Sequence, residues 1–374
     1  PGTKWCNIGF VYVLCSITII SFYSVVGGWT IEYLAKALTF QFNTVDNALL
    51  GGMFDATVTS PYRPLLFMLL FIIATASIVL AGVKKGIEKY AKIMMPILFV
   101  MVIVIAVRSM TLPGAGAGLD FLFKPDFSKV TAKTFLDALG QAFFSLSVGA
   151  GTIMTYASYV DRKESIVGLS AQTAIADTLF PIIAGLAMPA VFSFGISPSQ
   201  GPGLVFVTLP YIFAQLPLGS VIAIIFFFIL FIAAITSSIS MLEVIVAYVS
   251  EELGLSRKSA IALSVAVVLV LGSLCSLSQG VLSDITLFGN NIFDCFDKFS
   301  ANILLPLGGL FAVIFVGWRM KKADVADEIT SAGIHKYPLF MQNFIYFSIK
   351  YLAPLVVAVA SVRFITSNLD ALIG

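Results

Sequence analysis

Charged side chains are scarce in this chain. Asp, Glu, Lys and Arg make up 11% of its 374 residues, whereas a typical soluble domain carries about 25%. So few charges cannot cover the water-facing surface of a soluble protein of this length. The net charge of +2 also provides no strongly basic surface, so no nucleic-acid partner is expected. These shortages exclude a soluble globular domain.

Residues suited to metal, redox or nucleophilic chemistry are rare as well. The single histidine, His335, lies in a polar stretch without a partner. No GxxxxGK[ST] loop is present, and no Ser–His or paired-Asp arrangement falls on facing motifs, so we predict that the chain is not an enzyme. The cysteines form no CxxC pair and are interpreted as small hydrophobic residues; they are Cys6, Cys15, Cys275 and Cys295.

Long apolar runs are what the sequence has in abundance. Hydrophobic residues make up 59% of the chain, and a helix crosses a bilayer with about 20 mostly apolar residues. The sequence therefore predicts an all-α polytopic membrane protein, a single transmembrane domain over residues 1–374. Nine stretches qualify as spans, at roughly 10–38, 64–83, 90–112, 135–159, 165–194, 219–250, 259–279, 288–318 and 344–368.

The basic residues give the orientation of these spans. More than half of the 22 Lys and Arg residues lie in alternate connections, at 84–92, 162–163, 257–258 and 319–350. The positive-inside rule places these connections in the cytoplasm. The first span then starts inside and the C-terminus ends outside, in the plasma (inner) membrane of the cell.

The fourth span carries small and polar residues in mid-membrane. Ser145, Ser147, Gly149 and Gly151 fall within seven residues, and glycine and serine both weaken a helix. A broken helix survives at this depth only where it lines a cavity or is buried in protein. The alternative, close packing of intact helices through small residues, fits the same stretch.

The sixth span offers a set of neutral oxygens. Ala233, Thr236 and Ser237 are spaced i, i+3 and i+4, so they share one helix face. One carbonyl and two hydroxyls suit a weakly held monovalent cation, because a divalent ion would want carboxylates. The alternative is that the hydroxyls bond back to carbonyls of their own helix.

Acidic residues within spans are costly to insert into the bilayer, and they commonly face an ion path or a charged partner. Asp177 has no Lys or Arg in its own span, so either a bound cation or protonation would reduce the cost of burying its charge in the membrane. Glu243 in the sixth span is open to both interpretations. Asp294 and Asp297 lie near the outer end of the eighth span, where an interfacial position is the alternative.

Six motifs spread over the chain resemble the neurotransmitter:sodium symporters, bacterial branch, which have the leucine-transporter-like fold. They are 22–29 (FYSVVGGW), 85–96 (KGIEKYAKIMMP), 143–151 (FFSLSVGAG), 155–159 (TYASY), 235–239 (ITSSI) and 251–258 (EELGLSRK). This resemblance implies two inverted repeats of five helices with broken helices at the binding site. The nine spans then match family helices three to eleven, and the first two are expected to precede residue 1, leaving both sodium sites incomplete and the chain alone without transport.

The resemblance also implies roles for individual residues. The first sodium site would include Ser145 and Asp177, and the second Ala233, Thr236 and Ser237. Asp297 would be the outer-gate acid, and the inner gate would comprise Ser158, Tyr159 and Glu251, although the family more often has Asp at the last position. The substrate would be held by Ile19, Tyr23, Phe144, Ser145, Ser147, Ala150, Ser237 and Met241.

Two departures from the family pattern shape the expected transport. Asp177 stands where many relatives have Asn and would replace the charge that chloride supplies in animal members, so chloride is not expected to be required.

Ala150 is small where the leucine-type member has a bulky aromatic residue, which leaves room for a larger amino acid. The sequence thus predicts sodium-coupled symport of neutral, bulky hydrophobic or aromatic amino acids by alternating access, with a homodimer possible. Proton coupling through Asp177 or Glu243 and a non-transporting membrane scaffold or sensor remain the alternatives.

Overall fold

The computed structural model describes residue 5 and residues 7–42, 46–186 and 202–359. These residues are almost entirely helical, and within them β structure is confined to one isolated bridge between Leu287 and Asn290. Cys6, residues 187–194 of the fifth predicted span and 360–368 of the ninth lie outside the described residues. The helices are α1 (Asn7–Leu38), α2 (Asn47–Val58), α3 (Arg63–Leu80), α4 (Lys89–Met110), α5 (Ala115–Phe123), α6 (Ala132–Ser145), α7 (Thr152–Ala157), α8 (Ile166–Gly185), α9 (Leu204–Gln215), α10 (Gly219–Glu252), α11 (Arg257–Leu277), α12 (Ile292–Arg319), α13 (Lys322–Thr330) and α14 (Leu339–Val359).

Eight of the predicted spans correspond to helices long and apolar enough to cross a membrane: α1, α3, α4 (which extends back to Gly86 through a π-helical turn), α8, α10, α11, α12 and α14. Their bounds agree with the sequence-based ones to within a few residues where both ends are described. The remaining predicted span, the fourth at 135–159, is divided into α6 and α7. The expected all-α, multi-span architecture is therefore confirmed.

Helix α1 is the central element of the bundle. It packs most extensively against α10, and also against α3, α11 and α12. Its contact with α3 depends on a missing side chain, since a Cβ atom on Gly28 would lie 2.6 Å from the backbone nitrogen of Met68. Gly28 in the first motif thus allows two helix backbones to approach closely, and Gly27 makes room for the Phe71 ring.

The stretches between the predicted spans at 39–63, 113–134 and 195–218 contain short helices that the sequence patterns did not indicate. Helices α2, α5 and α9 occupy them. Helix α2 is joined to α1 by buried polar contacts: Lys36 Nζ lies 3.1 Å from Glu32 Oε1 and donates to Thr57 Oγ1 at 2.5 Å. Around these contacts, Tyr33 packs against aromatic rings from three elements, including Phe54, Phe206 and Phe227. The end of α1 is consequently fixed beneath α2 and α9.

Candidate functional site

The division of the fourth span lies where the serine and glycine residues are. Helix α6 ends at Ser145 and α7 begins at Thr152. Between them the backbone enters the left-handed region at Ser147 (φ 51°), Gly149 (φ 96°) and Gly151 (φ 80°). Such angles end an α-helix, because helical residues have a φ near about −60°, and glycine adopts positive φ more readily than other residues. The predicted break is confirmed.

The break is also a point of close packing. A Cβ atom on Gly149 would lie 2.0 Å from the carbonyl oxygen of Leu305 in α12, and one on Gly308 would lie 2.3 Å from the Gly149 oxygen. Two side chains of α1 donate to carbonyl oxygens at this point of close packing. Ser16 Oγ donates to the Ala150 oxygen at 2.8 Å, and the Tyr12 hydroxyl donates to the Gly308 oxygen at 3.1 Å. The segment is therefore held between α1 and α12, as broken backbone buried in protein must be.

Two residues assigned to the first sodium site meet across helices. Ser145 Oγ, at the end of α6, donates a hydrogen bond to Asp177 Oδ1 in the middle of α8. Asp177 takes part in none of the ion pairs between described residues. A carboxylate and a hydroxyl at the end of a helix, where carbonyl dipoles point outward, form a favourable environment for a cation.

The oxygens predicted to converge on one face of α10 have different partners in the structure. Thr236 Oγ1 donates to the Ala233 carbonyl oxygen at 2.9 Å, so the two groups lie within reach of one ion. The same contact is the back-bonding that the sequence left as the alternative. Ser237 is directed elsewhere, with its side chain beside the hydroxyl of Tyr23 on α1. This contact links two residues assigned to substrate binding.

The other side chains assigned to the substrate differ in exposure. Ile19, Met241 and Ala150 are buried in the main hydrophobic core, and Ala150 is only 1% exposed. Phe144 at the end of α6 is 40% exposed, and Ser147 and Tyr23 are half-buried. These residues come from α1, α10, the end of α6 and the break, and Ile19, Ala150 and Met241 share one hydrophobic core.

The inner-gate residues are arranged differently from the family-based assignment. The Tyr159 hydroxyl donates to Glu243 Oε1 at 2.9 Å. Glu243 is 0% exposed and binds Arg257 through both carboxylate oxygens, at 3.1 and 2.6 Å. Glu251 is exposed, and Ser158 donates to the Thr155 carbonyl oxygen in its own helix. Tyr159 is thus joined to Glu243 and Arg257 rather than to Glu251.

The acidic residues at the start of α12 have distinct surroundings. Asp294 lies in the first turn, and its backbone nitrogen donates to the Asn291 side chain that caps the helix. A carboxylate there is stabilised by the helix dipole, which agrees with an interfacial position. Asp297, the assigned outer-gate acid, is half-buried and forms no ion pair with the residues that the structure describes.

Several contacts of this region escaped the sequence patterns. The Tyr156 hydroxyl donates to Ser240 Oγ at 2.7 Å and ties α7 to α10, and Ser16 was not singled out at all. The pair of Glu243 and Arg257 had one signal, since a carboxylate in mid-span requires a partner. The sequence places its cation fourteen residues later, in the next helix, where spacing rules do not apply.

Comparison with known proteins gives this geometry a context. Residues 57–371 match the model of the sodium:neurotransmitter symporter family. An uncharacterized sodium-dependent transporter of Bacillus subtilis, YhdH, is 36% identical over 366 residues, covering 98% of this chain and 81% of its own length. One from Haemophilus influenzae is 37% identical over 362 residues, covering 95% of this chain and 78% of its own.

A solved structure agrees with the fold in detail. The crystal structure of MhsT in complex with L-phenylalanine superposes with a TM-score of 0.87 at 41% sequence identity, covering 96% of this chain and 81% of that one. Family, relatives and fold agree on a sodium-dependent membrane transporter with the leucine-transporter-like fold, which is not an enzyme. The chain belongs to the sodium:neurotransmitter symporter family.

Proposed function

We propose that this protein couples the entry of sodium to the entry of a neutral amino acid with a bulky hydrophobic or aromatic side chain, by alternating access. The observation that carries the proposal is the broken helix, whose end at Ser145 meets the carboxylate of Asp177. A carboxylate of this kind within a span serves an ion or a partner. Membership of a sodium-coupled family favours the ion.

The sodium sites would use neutral oxygens and one charge. Ser145 and Asp177 would provide part of the first site, where the substrate carboxylate would also take part. Ala233 and Thr236 would release their mutual hydrogen bond to bind a second ion, with Ser237 beside them. Since Asp177 already supplies a negative charge, transport would not need chloride.

The choice of a bulky substrate follows from the wall of the site. Ala150 is buried and carries only a methyl group, and Ile19 and Met241 add apolar surface. The related protein MhsT was crystallised with L-phenylalanine, a substrate class that fits such a wall. Tyr23, next to Ser237, would hydrogen-bond the substrate carboxylate.

Alternating access would use the two ends of this site. Binding of sodium between the broken helix and α10 would favour the outward-open state, and substrate would then allow closure near Asp297. Opening on the other side would separate Tyr159 from Glu243 and Arg257. The positive-inside rule places that pair near the cytoplasmic face and the C-terminus on the outside, in the plasma membrane.

Uptake by the protein expressed from its complete reading frame tests the proposal. Proteoliposomes would be given radiolabelled phenylalanine, tryptophan or leucine under inward gradients of sodium or potassium, with and without chloride. Uptake only with sodium, unaffected by chloride removal and competed better by tryptophan than by glycine or alanine, is expected. Uptake driven by a pH gradient without sodium would favour proton coupling through Asp177, and no uptake by folded protein would favour a scaffold or sensor.

A further inference from the structure

A cavity of about 260 Å³ lies between the C-terminal end of α4, the end of α9 and the start of α10. None of the residues assigned to sodium or substrate lines it. Leu112 and Phe213 form a buried floor. Three exposed apolar side chains, Val104, Leu218 and Val221, surround its mouth. The cavity therefore opens on the outer surface of the helix bundle, away from the transport site.

The lining determines what kind of molecule fits. Apart from Arg108 and Ser109, every lining side chain is apolar. A zwitterionic amino acid would need partners for both its charges, and these residues provide only a cation. Pockets for complete drug-sized ligands are commonly about 300–1,000 Å³, so this smaller cavity suits a segment of a hydrocarbon chain.

Arg108 provides the charge at this cavity. Its Nη1 donates to Thr111 Oγ1 at 3.0 Å, and none of the ion pairs in the described part of the chain involves it. A guanidinium has five donors in a planar fork, which matches the oxygens of a phosphate. The hydrogen bond to Thr111 uses one of the five donors. The other four N–H groups can serve an anionic ligand in the cavity.

The position of Arg108 along α4 gives the depth in the bilayer. The helix has 22 residues and so spans about 33 Å, close to the thickness of the hydrocarbon core. Its first turns carry Lys89 and Lys92, which the positive-inside rule assigns to the cytoplasmic face. Arg108, in the last turn, then lies at the level of the headgroups of the outer leaflet.

The mouth of the cavity is preformed and apolar. Leu218, which precedes α10, has φ 61°, a strained conformation for a bulky residue, and its side chain is 77% exposed. An apolar side chain held outward at such a cost is stabilised when hydrocarbon covers it. We propose that this cavity binds one acyl chain of an anionic phospholipid of the outer leaflet, with the lipid phosphate on Arg108.

Native mass spectrometry tests this proposal directly. The protein from its complete reading frame would be reconstituted in nanodiscs of equal phosphatidylglycerol and phosphatidylcholine, released into mild detergent, and analysed for the lipids that stay bound. Arg108→Gln should lower the ratio of retained phosphatidylglycerol to phosphatidylcholine about tenfold, the effect of losing a charge-assisted contact. Val221→Trp, which fills the mouth, should lower the retention of both lipids.

The matched control is Arg63→Gln. Arg63 is an exposed arginine at the start of α3, on the same side of the bundle as the end of α4, and it does not line the cavity. This variant should retain lipid as the wild type does. Equal retention of the two lipids by the wild type, or unchanged retention by Arg108→Gln, would overturn the proposal. A change of oligomeric state in Val221→Trp with lipid retention intact would instead identify a contact between copies of the chain.

Discussion

At the residue scale, Glu243 is the buried carboxylate whose charge most needs a partner within the described structure. Its carboxylate is fully buried and is bound by Arg257 and Tyr159. A buried charge without a partner is far more costly than a buried pair, because the pair recovers in mutual attraction part of what it loses in hydration. Arg257 therefore acts chiefly by compensating Glu243, and it also donates to the Val79 carbonyl oxygen at 2.9 Å.

Replacing Arg257 by Met should destabilise the protein. Loss of one partner of a buried pair commonly costs about 3–5 kcal/mol, and the lower end applies here because the Arg257 side chain is 34% exposed. The midpoint of thermal unfolding in detergent, measured by fluorescence-detected gel filtration, should fall clearly. The exposed neighbour Lys258 gives the control, since Lys258→Met should leave the midpoint unchanged. An equal fall in both variants would contradict the compensating role.

Ala150 is the residue through which substrate size should be controlled. Ala150→Leu adds volume to a wall that is 1% exposed, and overpacking of this kind costs about 1–3 kcal/mol. The KM for tryptophan should therefore rise at least about fivefold, while that for alanine should change little. Ala157→Leu, at an exposed position of α7, should alter neither value. Uptake competition measures the KM values for tryptophan and alanine. A parallel rise in the two values would show that Ala150 does not control substrate size.

At the scale of single elements, the interrupted fourth span shows what local sequence can predict. The clustering of Ser145, Ser147, Gly149 and Gly151 predicted a break, and the structure has one between α6 and α7. It did not predict which backbone would pack there, because the approach of Leu305 and Gly308 comes from α12, far along the chain. Helices α2, α5 and α9 were missed for a different reason: they are too short for a span, and their glycines and prolines are typical of loops.

Gly149 should tolerate no side chain. In Gly149→Ala the new Cβ atom would meet the Leu305 carbonyl oxygen at 2.0 Å, and the φ of 96° would be strained as well. We expect a loss of sodium-driven uptake and a lower unfolding midpoint. Gly289→Ala separates the two effects, because its φ of 71° is also left-handed but no atom lies within 4 Å of the added Cβ. Similar losses in both variants would mean that conformational strain, and not the contact with α12, is decisive.

At the scale of the whole molecule, composition and the six motifs were sufficient for the architecture. Long apolar runs predicted the spans, and family resemblance predicted the fold that the comparison with MhsT then confirmed. The contacts between helices were harder to predict from the sequence, because helices far apart in the chain meet only through tertiary packing. Thus Tyr159 reaches Glu243 on α10 and not Glu251 at its end, and Tyr156 reaches Ser240. Neither contact follows from spacing along one helix.

We propose that Asp177 links sodium binding to substrate binding, and a sodium titration of substrate binding can reveal this link. Binding of radiolabelled phenylalanine to purified protein from the complete reading frame would be measured by scintillation proximity for wild type, Asp177→Ala and Asp120→Ala, whose aspartate is exposed on α5. We expect Asp177→Ala to weaken apparent sodium affinity and phenylalanine affinity together, each by about tenfold or more, as loss of a charged contact does. Asp120→Ala should behave as the wild type. Unchanged sodium dependence in Asp177→Ala would show that Asp177 does not take part in sodium binding.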